Sequence, residues 1–198
     1  EQPLDFYSNL MKTRKLVVIA PAYRLSIDHP FPAGFNDCYD TLLWMRDNAD
    51  ELGIMPDNYM IAGHSAGGGM TAAVTLKARD TKDVKIAFHM PIYPMIDHRM
   101  ITESSRNTFG AMMWDSHSNK NGWEMYLKGI GDGEVPAYAS PALNQDFTDF
   151  PPAISYVGDL EPFKDETINY IEALKAAGIP TKFRLYKGAY HGFENDMP

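Results

Sequence analysis

The chain alternates short unbroken apolar runs with longer stretches in which apolar residues recur every three or four positions. Residues 15–20 form one such run, Lys15-Leu16-Val17-Val18-Ile19-Ala20, which suits a strand buried on both faces. Residues 59–62, 84–91, 153–157 and 181–186 predict four more strands. Between them lie helical patterns. Phe35, Cys38, Leu42, Leu43 and Met45 recur at helical spacing after Gly34, and the pattern fades near Gly53. Residues 67–77 form a second helical stretch. In 165–177, Ile168, Ile171 and Leu174 share a helical face, and Gly178 and Pro180 stop it.

Strand–helix alternation of this kind predicts an α/β protein, with a mostly parallel sheet and helices on both faces. The pattern breaks once. Residues 97–135 are polar and irregular, with scattered Met, Trp and Phe, and read as a cap inserted after the third strand. A length of 198 residues suits one domain spanning 1–198, with 97–135 as an insertion within it.

Composition narrows the function classes. At 44% hydrophobic and 22% charged residues the chain reads as globular rather than disordered. A net charge of -8 opposes binding to nucleic acid or to anionic lipid. No apolar run approaches the roughly 20 residues of a membrane span. No secretory leader pattern is visible at Glu1. The single cysteine, Cys38, excludes an internal disulfide and points to a reducing, cytoplasmic setting or to indifference to redox state. Its place in a helical pattern suits a small buried apolar residue. No His, Cys or Asp cluster has metal-ligand spacing, so no metal or cofactor is expected. Monomer and homodimer both remain open.

The chemistry concentrates at Gly63-His64-Ser65-Ala66-Gly67, a G-x-S-x-G pattern with a strand before it and a small-residue helix after it. Such a strand–turn–helix strains the central residue and lifts its hydroxyl above the sheet. The flanking glycines suit a place where strand and helix approach too closely for side chains. The turn also sets the Ala66 N–H at a helix start, where a developing oxyanion is held. Adjacent residues on a sharp turn point apart, so His64 reads as structural.

A serine hydroxyl needs a base. Of the six histidines, His191 follows the last strand and leaves room for an acid upstream of it, as the order Ser, acid, His requires. His89 lies within a strand, and His29, His98 and His117 read as packing or surface residues. The acid is expected after the 153–157 strand, where Asp159 and Glu161 are both candidates. Asp165 and Glu166 suit the first turn of the next helix. Phe109, Met112, Met113, Trp114 and Trp123 are candidates for an apolar substrate wall in the cap, with packing of the cap on the core as the alternative.

Taken together, these segments resemble the hormone-sensitive-lipase-like branch of the α/β-hydrolases. The resemblance rests on Tyr23-Arg24-Leu25, His29-Pro30-Phe31-Pro32-Ala33, Asp37, Tyr39 and the Ser65 motif. Tyr138, Ser140, Pro141, the 158–166 stretch and Tyr190-His191-Gly192-Phe193 complete it. The resemblance implies a carboxylesterase acting on a small-molecule ester through an acyl-enzyme on Ser65, with no cofactor. An amidase or peptidase of the same fold, or a non-catalytic relative, are the rival readings. The family's acid stands just before a proline, which favours Glu161, ahead of Pro162, over Asp159. Two departures accompany the likeness. Nothing before Lys15 resembles the family's His-Gly-Gly-Gly oxyanion motif, and the chain ends seven residues after His191. These departures predict a gap in the sheet between the 15–20 run and the 59–62 strand, and a native polypeptide longer at both ends.

Overall fold

The computed structural model describes residues 11–12 and 16–196. Helix α1 (Ala33–Asp47) leads into the single turn α2 (Ala49–Leu52), and Gly53 closes α2 in the left-handed region at φ 65°. Four strands follow: β1 (Tyr59–His64), β2 (Ile86–Ile92), β3 (Ala153–Gly158) and β4 (Thr181–Tyr186). They form one parallel sheet in the order β1-β2-β3-β4. Parallel neighbours need a crossover. Helix α3 (Ala66–Thr81) joins β1 to β2. Between β2 and β3 run α4 (Glu103–Asn107), α5 (Ser116–Leu127) and a 3-10 turn, Pro141–Leu143. Helix α6 (Lys164–Ala176) joins β3 to β4.

Helix α3 ties the apolar interior together. With Phe35, Tyr39 and Leu42 of α1 and Tyr59 of β1 it buries Ala73, Val74 and Ala78. Its Ala72 and Leu76 meet Tyr170, Ile171 and Leu174 of α6, along with Ala153 of β3. Side chains alternate along a strand, so Tyr156 points away from the face that carries Ala153. There it meets Tyr186 and Phe193 edge to face.

The four strands of the sheet match their apolar runs to within two residues, but the first expected strand is absent. Lys15 lies outside the described residues, and residues 16–20 form no strand. Leu16 and Val17 are 45% and 46% exposed. Val18, Ile19, Ala20 and Pro21 instead line, together with β1, an apolar groove of about 260 Å³. Strands in a ladder lie about 4.8 Å apart and leave no such space. Backbone pairing makes a strand, and this run has no laddered neighbour.

Helix α5 is the opposite case, ordered where the sequence reads as irregular. The Asp115 side chain caps it by accepting the Ser118 N–H at 2.8 Å. Buried Ser116, Asn119 and Trp123 recur at helical spacing. Their polar character hid the pattern. Elsewhere the residues that carried the family resemblance act as ties. Arg24 forks onto Asp37 of α1 at 2.7 and 2.9 Å, which holds that carboxyl down at about 2. Tyr138 donates to Asp80 at 2.7 Å, and the Ser140 hydroxyl donates to the Ile96 carbonyl at 3.0 Å.

His89 is fully buried in β2, with Nδ1 at 3.1 Å from the Pro152 carbonyl and Nε2 at 3.2 Å from the Tyr170 hydroxyl. A neutral ring that donates from Nδ1 and accepts at Nε2 satisfies both partners. Burial pushes the imidazole down to about 4. The unfolded chain then takes up this proton first. The stability His89 contributes is complete above about pH 6.5 and falls as pH drops towards about 4, by on the order of 3 kcal/mol. Buried Glu161 and Glu166, both raised by burial, act in the opposite direction. The informative quantity is therefore a difference between variants. Urea unfolding at about pH 7 and about pH 4.5 is expected to show a smaller acid loss in His89→Gln than in the parent. Equal losses would remove His89 from the account.

Candidate active site

Strand β1 ends at His64 and α3 begins at Ala66, so the chain turns at a single residue. Ser65 takes φ 58° and ψ -119°, a left-handed conformation that non-glycine residues rarely adopt. The turn is pinned by its own backbone: the Ser65 N–H donates to the Ile92 carbonyl at 3.0 Å, and its carbonyl accepts from Gly69 and Met95 at 3.0 and 3.1 Å. The close approach is real but falls on only one of the two glycines that the motif marks. A Cβ on Gly63 would stand 2.4 Å from the Gly67 carbonyl oxygen, and one on Gly69 would stand 2.2 Å from the Met95 carbonyl oxygen. A Cβ on Gly67 meets nothing within 4 Å. The expectation that both flanking glycines are sterically required therefore holds for Gly63 and fails for Gly67, which faces open space. Gly63→Ala is expected to destabilise by about 3 kcal/mol through forced backbone movement. Gly67→Ala should fold as well as the parent or gain about 0.5–1 kcal/mol. Thermal unfolding of the two variants checks the contrast.

The loop after β4 delivers His191 to this turn. Its Nε2 lies 2.9 Å from the Ser65 hydroxyl oxygen, and its Nδ1 lies 2.6 Å from Glu161 Oε2. Glu161 follows β3 and is fully buried, and its other oxygen accepts the Gly158 N–H at 3.3 Å. Burial pushes its carboxyl up, and the His191 ring pulls it back down. Asp159, the other candidate acid, is elsewhere. It accepts the Gly188 N–H at 2.7 Å and so fastens the turn that leads to His191.

Aromatic rings wall the imidazole. Tyr93 and Phe163 meet it edge-on with centroids 4.6 and 5.2 Å away, and Trp114, from the segment between β2 and β3, lies at 6.5 Å. Tyr93 donates to the Glu194 carboxylate, which also lies 3.7 Å from His64 Nε2. Burial and that carboxylate raise the Tyr93 phenol, so it stays protonated. Sequence reasoning passed over Tyr93 and Phe163. Tyr93 sits just beyond the end of β2, where no periodicity marks it, and Phe163 stands at the N-terminus of α6, in the 158–166 stretch that the sequence marks only for its acid.

The family model for the alpha/beta hydrolase fold matches residues 1–195. The chain belongs to the α/β-hydrolase fold family. Among its relatives, an arylesterase of Saccharolobus solfataricus is 32% identical over 185 residues, covering 93% of this chain and 60% of the relative. Carboxylesterase NlhH of Mycobacterium tuberculosis is 30% identical over 182 residues, covering 90% and 57%. A solved structure of a bacterial heroin esterase superposes with a TM-score of 0.83 at 36% identity, covering 86% of this chain and 55% of that one. This α/β-hydrolase chain thus spans little more than half the length of the proteins it matches.

The remaining expected residues of this α/β-hydrolase fall into separate places. The Ala66 N–H is the first of α3 and so has no acceptor within the helix. His64 is largely buried, which lowers its pKa. Cys38, in α1, is partly buried, and burial pushes its thiol up to about 11. Of the five residues expected to wall the substrate, only Trp114 has a ring contact with His191. Met112 and Met113 are exposed, while Phe109 and Trp123 line a cleft whose walls include neither Ser65 nor His191. Asp165 and Glu166 open α6. No helix among the described residues is long and apolar enough to cross a membrane, and no described group of three His, Cys, Asp or Glu side chains could hold a metal.

Proposed function

We propose that this α/β-hydrolase is a serine carboxylesterase for short-chain esters, with Ser65, His191 and Glu161 as its catalytic triad. The observation that carries the reading is the unbroken relay from the Ser65 hydroxyl through His191 to buried Glu161, at 2.9 and 2.6 Å. His191 takes the Ser65 proton as the oxygen attacks the ester carbonyl, and Glu161 holds the ring in the tautomer with the proton on Nδ1. The Ala66 N–H donates to the oxyanion of the tetrahedral intermediate. That intermediate collapses as His191 hands its proton to the departing alcohol. Water, activated by the same imidazole, then clears the acyl group from Ser65. No step calls on a metal or cofactor.

Residues 97–135 act as the cap within a single 1–198 domain, and Trp114 lines the acyl site beside His191. Met112 and Met113 lie exposed on the cap surface, and Phe109 and Trp123 line a separate cleft of it. The lone cysteine fits a cytoplasmic setting. The names of the relatives favour ester over amide cleavage. Hydrolysis of p-nitrophenyl butyrate and of butyryl p-nitroanilide by the pure protein tests the reading. Turnover of the ester with little of the anilide is expected. Preference for the anilide would make it an amidase, and turnover of neither would make it a non-catalytic member.

A further inference from the structure

A second cleft, of about 730 Å³, lies against α5 and includes none of the three proposed triad residues. The helix presents one face to it: Ser116, Lys120, Trp123, Glu124 and Leu127 follow the i, i+4, i+7, i+8, i+11 spacing of a single stripe. Gly122 lies off that stripe. A Cβ there would meet the Trp114 ring at 3.2 Å, on the side of the helix that adjoins His191. The cleft and the Ser65 site are therefore served by different faces of α5.

The lining is unlike the rest of the molecule. The whole chain carries a net charge of -8, yet four residues of this cleft are cationic, Arg99, Arg106, Lys120 and Lys128, against one carboxylate, Glu124. Two of the four cations are already committed. Arg99 is bound to Asp97 at 2.7 Å, and Lys120 lies 3.8 Å from Glu124. Arg106 and Lys128 have no carboxylate within 4.0 Å among the described residues. Arg106 only donates to the Met100 carbonyl at 2.9 Å. The other half of the lining is apolar. Phe109 is 70% exposed, and Met100, Trp123 and Leu127 join it.

Uncommitted cations and an exposed aromatic ring in one concavity call for a ligand that is an anion at one end and apolar at the other. An acceptor-rich head satisfies Arg106 and Lys128, and charge-assisted bonds to such a head are the stronger kind. An aliphatic tail of a few carbons covers Phe109 and Leu127, whose exposure to water is otherwise unfavourable. We propose that this cleft is a binding site for a carboxylate with a medium-length alkyl chain, separate from the Ser65 site. The proposal does not depend on what Ser65 does.

Calorimetric titration of the intact protein with octanoate tests it, with acetate (head without tail) and 1-octanol (tail without head) as comparison ligands. Octanoate is expected to bind one saturable site at least tenfold more tightly than either. The affinity should fall at higher salt, since the attraction is between partly exposed charges. The double variant Arg106→Glu/Lys128→Glu is expected to weaken octanoate at least tenfold while leaving p-nitrophenyl butyrate turnover unchanged. If that variant does not fold, Arg106→Gln/Lys128→Gln replaces it with the same expectation. Octanoate binding that is unchanged in the folded variant, equal affinity for 1-octanol, or no saturable binding would each overturn the proposal.

Discussion

Ser65→Ala is expected to bring turnover of p-nitrophenyl butyrate to background, a loss of about a millionfold, with an unchanged unfolding temperature. The rate loss follows from the chemistry: no other hydroxyl accepts the role, because the elbow backbone aims only this one at the imidazole, 2.9 Å away. The unchanged stability follows from the environment. The turn is held by backbone bonds from Ser65 to Ile92, Gly69 and Met95, and alanine keeps all three. Members of such a relay act as a unit, so His191→Ala should fall nearly as far. His29→Ala and His117→Ala serve as controls and should keep the parent rate. A fluorophosphonate probe gives an independent readout, with labelling lost in both Ser65→Ala and His191→Ala. Retained turnover in pure Ser65→Ala protein would end the assignment of the nucleophile.

Glu161→Gln has the second-largest expected effect, a drop in kcat of about 10,000-fold. An amide in place of the carboxylate can turn its NH₂ towards Nδ1. The ring then carries its proton on Nε2, the nitrogen that must accept from Ser65, and the base is blocked. Because Glu161 is buried and also accepts the Gly158 N–H, the glutamine variant keeps an oxygen for that bond and should fold. Asp159→Asn is the matched control. Its oxygen can still accept from Gly188, so kcat should change little, with any cost appearing as stability. The reverse order of the two variants, with Asp159→Asn the slower enzyme, would transfer the acid role to Asp159.

The choice between these two carboxylates shows where sequence reasoning ran out. Both follow β3, two positions apart, and local chain chemistry allowed either. The proline rule drawn from the family favoured Glu161, and the structure sets Glu161 at the imidazole and Asp159 on the next turn. The loop from β4 decides this, because it brings residues 188 and 191 to different points around one strand end. The glycines show the same limit. The motif marks Gly63 and Gly67 alike, but only the packing of α3 against β1 and of Met95 over the elbow tells which Cβ has room.

By itself the sequence determined the features that depend on local periodicity and short-range backbone chemistry. These are the four paired strands, the helices between them, the elbow at Ser65, and His191 and an acid on the loops that follow the strands. Their signals are repeats of two and of three to four residues and the turn chemistry of glycine and proline, all of which act over a few positions. Tertiary structure alone decided the rest. The 16–20 run has the composition of a strand but joins none, because pairing needs a neighbour that composition cannot supply. Helix α5 forms in a polar stretch because a cap and buried contacts outweigh its weak apolar pattern. The aromatic walls around His191 gather residues distant in sequence, and only the closed fold brings such residues together.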